Sequence, residues 1–289
     1  MTKKKRSPVL TLLTSSVEIL MTHPIVLYPF IITIFIDLLL LEILYFAPRY
    51  PLSLFFAPII RALYGETFLH YPFNLSILPK LFQNFQIYIY LFLSSFLISV
   101  AILIIGEINH DKKITFPKAV KQIRSQYVHI VVATLVIYLF LQGFFFLDGL
   151  LVKRAMSIHS QKGLYFIIKK VVIESSPYVQ LFCEILVTTI FAFVYPIIVM
   201  EKRKFFSAIL LNLNLVRKSF FFIFTIVLLP TVLYLPVLLL RNNISSISYT
   251  NASELSLILT ILSIVIIVLI DAVIYTAITT FYLLKQENK

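Results

Sequence analysis

The chain has 289 residues, 60% of them apolar and only 13% charged, with a mean hydropathy of +0.97. A soluble domain of that length buries about three quarters of its unfolded surface and has no use for repeated, nearly uncharged apolar runs, so the composition excludes a water-soluble fold. The balance of 25 Lys and Arg against 13 Asp and Glu leaves a net charge of +12. The basic residues stand beside apolar runs and no nucleic-acid-binding signature accompanies them, which points to membrane headgroups and excludes nucleic acid as a partner. A lone Cys183 rules out an internal disulfide or a thiolate cluster. Five glycines, where average usage predicts about 20, argue against close glycine-mediated helix crossings and glycine-rich filters.

In chain order, Lys3, Lys4, Lys5 and Arg6 precede an amphipathic stretch over 9–22, in which Leu10, Leu13, Val17, Leu20 and Met21 oppose Thr11, Thr14, Ser15 and Glu18. Polar interruptions and the lack of a small-residue cleavage site separate this from a signal peptide, so the N-terminus is expected to be retained. A first span is predicted over 24–46. Segment 47–80 is rich in proline and is expected to lie on or dip into the outer leaflet. A second span covers 81–106, and Glu107, His110 and Asp111 beyond it are too few for a metal site.

A second amphipathic stretch, 116–127, sets Phe116, Ala119, Val120, Ile123 and Tyr127 against Lys118, Lys121, Gln122 and Arg124. The third span is placed at 128–150. Segment 151–177 is read as an interfacial helix ending near Pro177, and a fourth span at 178–200. The third amphipathic stretch, 203–218, carries Phe206, Ile209, Leu213 and Val216 against Arg203, Ser207, Asn214 and Arg217. Spans at 219–240, with Pro230 and Pro236 as expected kinks, and at 257–284 complete the chain. Asn243 and Asn251 open sequon-like triplets read as polar loop.

Sixteen basic residues fall on the side of the N-terminus and nine on the other, so both termini are expected to be cytoplasmic. Five of the nine (Lys153, Arg154, Lys162, Lys169 and Lys170) crowd into 151–177. The expectation is one all-α, polytopic membrane helix bundle over 1–289, with about six transmembrane helices and three cytoplasmic interfacial amphipathic helices in a recurring helix-then-hairpin pattern.

From Tyr195, Pro196 and Glu201 through Phe205, Phe206, Ser207 and Ala208 to Leu213, Asn214, Leu215, Arg217 and Lys218, the chain resembles the multi-pass membrane domain of bacterial glycerophosphoryl diester phosphodiesterase and its relatives. His23, Pro24, Pro29 and Phe30 are similar to that group's first span. The resemblance covers 8–46 and 100–284 and implies architecture and a lipid-adjacent role in a bacterial inner membrane. No His, Glu and Asp cluster outside the spans matches the catalytic domain, so no catalytic residue carries over.

Acids inside spans are costly and usually face protein or water. Asp37 and Asp271 lie at matching depths, and Glu184 lies slightly higher; together they are candidates for a polar path for protons or cations. The competing expectation is that each acid is satisfied by a nearby hydroxyl, such as Tyr275 one turn after Asp271. His23, His70, His129 and His159 are scattered interfacial residues, and no HExxH, GxSxG or P-loop is present, so neither an enzyme nor a cofactor is expected. Lys118, Lys121, Arg124, Arg203, Arg217 and Lys218 are the candidates for lipid headgroup contact. The leading expectation is a non-enzymatic scaffold or subunit of a membrane complex, touching lipids and a protein partner or its own copies. The alternative is a transporter or exporter permease subunit using the intramembrane carboxylates.

Overall fold

The computed structural model describes residues 8–110, 112–158, 163–243 and 252–287, and among these every regular element is a helix. Lys3 to Arg6, Asp111, His159, Lys162 and Asn251 lie outside the described residues, as does the rest of the triplet opened by Asn243; Ala252 and Ser253, expected as polar loop, instead begin the last helix, whose backbone they continue without a break. Six helices or helix pairs are long and apolar enough to cross a membrane: Pro24–Tyr45, Phe73–Asn109, Phe116–Met156, Leu164–Met200, Phe220–Asn242 and Glu254–Glu287. The chain is a polytopic membrane helix bundle. Hydrocarbon offers backbone groups no partners, which forces each crossing into helix.

The three amphipathic stretches form α1 (Pro8–Thr22), α6 (Phe116–Ile123) and α10 (Phe205–Arg217). The first span is α2 (Tyr28–Tyr45), entered through a 3-10 turn at Pro24–Val26. The proline-rich segment contains a short helix, α3 (Ser53–Tyr64), but from Phe73 the chain is already in the second span. That corrects the expected boundary at 81: Pro79 sits inside α4 (Phe73–Ile89) without ending it. A π-helical turn at Tyr90–Ser94 joins α4 to α5 (Ser95–Asn109).

The interfacial helix expected to stop near Pro177 is likewise not there. The third span, α7, runs Tyr127–Met156, and α8 runs Leu164–Ile190 straight through Pro177. Proline is tolerated in membrane helices because neighbouring helices, hydroxyl side chains and local adjustments of the helix re-satisfy the carbonyl it frees. Thirty and 27 residues make helices of about 45 and 40 Å, longer than a hydrocarbon layer of about 30 Å. Lys153, Arg154, Lys169 and Lys170 therefore sit towards the tip of a long hairpin. The fourth span resumes as α9 (Val194–Met200), the fifth is α11 (Phe220–Thr231) and α12 (Leu235–Asn242) about a 3-10 turn, and the sixth is α13 (Ala252–Glu287).

The second and fourth spans are central, with 72% of their most apolar window buried against 17% for the third. Residues Leu97 to Gly106 of α5 are buried on every side, as are Val194 to Val199 of α9. One core joins these to α1, α6, α10, α11 and α13, and a second, smaller one joins α2, α3 and α4 to Ile264. The helix α6 buries Ala119 and Ile123 of its expected stripe, whereas α1 and α10 are rolled relative to theirs. In α1 the buried residues are Leu12, Ser16 and Leu20, while Leu10, Val17 and Met21 are exposed. In α10 they are Phe205, Ala208, Asn212, Leu215 and Val216, while Phe206 and Leu213 are exposed. Large apolar side chains lose nothing by facing lipid, and small or hydrogen-bonding ones allow closer packing inside.

Asn212 has a defined task. The fourth span breaks at Phe191–Phe193, and across this break the Phe193 N–H donates to Asn212 Oδ1 (2.9 Å) while Asn212 Nδ2 donates to the Ile190 carbonyl (2.7 Å). Pro196, in the first turn of α9, is placed where a missing N–H costs least. Asn212→Leu is expected to destabilise the protein by about 2–4 kcal/mol, because two buried backbone groups lose their partner. Asn214→Leu, on the exposed side of the same helix, is expected to change stability by less than about 0.5 kcal/mol; denaturation of the detergent-solubilised protein measures both.

Candidate functional site

Two breaks in the central spans bring tyrosines together inside the bundle. Tyr90 opens the π-helical turn of the second span, and Tyr195 is the second residue of α9. Tyr275 lies on α13 one turn beyond Asp271. The Tyr90 side chain interacts with those of Tyr195 and Tyr275, whose rings meet edge to face at 6.1 Å. Buried Thr134 of α7 shares a 2.9 Å hydrogen bond with the Tyr195 hydroxyl. Four spans thus contribute oxygen atoms to one cluster.

Asp271 and Glu184 adjoin that cluster and interact electrostatically with one another and with Tyr90. Asp271 is half-buried and Glu184 exposed, although both lie within spans. Among the described residues no hydrogen bond reaches either carboxylate and no cation adjoins them, so the expected pairing of Asp271 with the Tyr275 hydroxyl is not formed. The two carboxylates thus lie within electrostatic reach of each other and of hydroxyl groups capable of relaying a proton.

Asp37 is placed elsewhere. It is 3% exposed and accepts a 3.1 Å hydrogen bond from Gln86 Nε2 of α4, and its second oxygen has no partner among the described residues. The three candidate acids therefore divide into one pair and one separate residue. Asp148, an acid in the third span not selected from the sequence, is buried and accepts hydrogen bonds at one oxygen from Ser176 Oγ (2.5 Å) and Gln180 Nε2 (3.0 Å). The four-residue spacing of Ser176 and Gln180 on α8 is the signal that would have found it.

The headgroup candidates lie on the face shared by α1, α6 and α10. Lys118, Lys121, Arg124, Arg217 and Lys218 are all exposed. Arg203 is engaged: its Nε pairs with Glu201 Oε2 at 2.5 Å. The other Glu201 oxygen accepts from the Tyr282 hydroxyl and from Gln286 Nε2 (2.9 Å), tying the end of the sixth span to the end of the fourth. Lys285 adds to this seam, donating to Ser219 Oγ (2.8 Å) and the Leu215 carbonyl (3.2 Å). Burial opposes ionisation of Glu201, but the hydrogen bonds from Tyr282 and Arg203, the Arg203 charge and the Gln286 amide together hold its carboxyl below the usual carboxylate range.

No family model, no curated protein and no solved structure matches this chain.

Because the Glu201 carboxyl is depressed in the folded state, its contribution to stability is present above its unfolded value and lost as pH falls through the folded one. Glu201→Gln is expected to cost about 1 kcal/mol at neutral pH. The difference in melting temperature between parent and variant should shrink as pH drops below about 4; melting curves across that range check it.

Proposed function

We propose that this chain is a non-enzymatic transport protein of a bacterial cytoplasmic membrane, with both termini cytoplasmic, in which Glu184 and Asp271 take up and release a proton or small cation. The observation that carries the reading is the carboxylate pair contributed by two different spans, which interact electrostatically and are uncompensated by a cation among the described residues. An acid in a span is expensive and, where it is kept, commonly marks an ion or proton path, and two that repel each other are costlier still. Cation or proton binding relieves that repulsion, which favours uptake at the pair. The adjoining tyrosines extend from it to the broken segments of the second and fourth spans, where irregular backbone in membrane proteins commonly lines a path.

A subunit role draws on a separate observation. The third span is the least buried of the six, and a second chain seated along α7 would cover it.

The test uses the full chain reconstituted in vesicles, with flux driven by an imposed pH or cation gradient. Glu184→Gln and Asp271→Asn are each expected to lower flux by tenfold or more with melting temperature kept. Asp37→Asn, outside the pair, is expected to lower stability and leave flux per folded molecule within about twofold. Full flux in the double variant of Glu184 and Asp271 overturns the reading. A stoichiometric partner in native mass spectrometry of the untreated membrane extract, together with absent flux, replaces it with the subunit role.

A further inference from the structure

A second polar feature lies far along the chain from the carboxylate pair, where the second span meets α6. The span ends at Asn109 and α6 begins at Phe116. The Lys112 N–H donates to the Glu107 carbonyl at 2.9 Å, turning the connector back over the end of the span. Ile114 and Phe116 pack against the main core and hold that turn in place. The result is an open basin of about 480 Å³ lined by Glu107, Lys112, Lys113, Ile114, Lys118 and Gln122. Lys118 and Gln122 stand one turn apart on α6, whose neighbouring face buries Ala119 and Ile123. The three lysines are exposed, and among the described residues none is ion-paired.

We propose that this basin binds the phosphate of an anionic phospholipid headgroup. Among the described residues, three lysines and one glutamate line the recess, a lining charge of +2 suited to a phosphodiester. The Gln122 amide and the Glu107 carboxylate supply a donor and acceptors for hydroxyl groups on a headgroup such as glycerol. Position selects lipid over a soluble phosphate ester: the recess opens where a span ends, beside a helix whose apolar face is docked on the bundle, at the level where lipid phosphates lie.

The test is phosphatidylglycerol binding by the full chain in mild detergent, read as retained lipid in native mass spectrometry and as a lipid-dependent rise in melting temperature, with phosphatidylcholine as reference. Each lysine near an anionic headgroup is worth about fivefold in affinity, so the Lys112→Gln, Lys113→Gln, Lys118→Gln triple variant is expected to lose on the order of a hundredfold. A Lys202→Gln, Lys204→Gln double variant, on the same basic face but outside the basin, is expected to stay within about twofold. If the triple variant does not fold, Lys118→Gln alone should still show its fivefold loss. Unchanged phosphatidylglycerol affinity in the lysine variants overturns the site, as does equal retention of phosphatidylcholine by the parent. Displacement of the lipid by equimolar glycerol phosphate overturns the lipid as occupant.

Discussion

The bundle depends on a rule imposed by its solvent: inside hydrocarbon, every backbone N–H and carbonyl must find a partner in the protein. The fourth span breaks at Phe191–Phe193, in the most densely buried part of the molecule, and is permitted to do so because the Asn212 side chain answers the freed groups on both sides of the break. The amphipathic helix that carries Asn212 is thereby fixed against the end of α8. The break in turn sets the direction of α9 and so delivers Tyr195 to Thr134, Tyr90 and Tyr275.

The same rule explains the treatment of hydroxyl groups. Ser95, Ser99, Thr134, Thr189, Thr276 and Thr279 are all buried and each donates to the carbonyl four residues earlier on its own helix, so that its hydroxyl proton needs no neighbouring span. Against that self-contained background the carboxylates stand apart. Asp148 is met by Ser176 and Gln180, and Asp37 by Gln86, so both are tied into pairs of adjacent spans. Glu184 and Asp271 interact electrostatically and accept no such hydrogen bond among the described residues, and that contrast is what motivates the transport proposal.

Tyr195, Pro196 and Glu201, the residues behind the sequence resemblance, have three physical tasks within one short stretch. Tyr195 enters the interior cluster, Pro196 starts a helix after a break, and Glu201 closes the seam with Tyr282, Gln286 and Arg203. The basic face beyond that seam is divided in the same way. Arg203 and Lys285 are spent on internal contacts, whereas Lys112, Lys113 and Lys118 surround an open recess.

The sequence by itself determined the solvent, the all-helical class, the six crossings and the three amphipathic helices, because each follows from run length, hydropathy and local periodicity. It misplaced the ends of the second and fourth spans, since Pro79 and Pro177 read as breakers by rules calibrated in water. It also rolled α1 and α10 the wrong way: an apolar stripe marks the buried face only where the alternative is water, and lipid accepts Phe206 and Leu213 as readily as a core does. Asn212, two residues from the exposed Asn214, was indistinguishable from it until the break in a distant helix gave one of them a partner. Only the tertiary structure decided which acids meet. Matching depth allies Asp37 with Asp271, but rotation of each helix about its axis, set by side-chain packing across several spans, turns Asp37 to Gln86 and leaves Asp271 within electrostatic reach of Glu184.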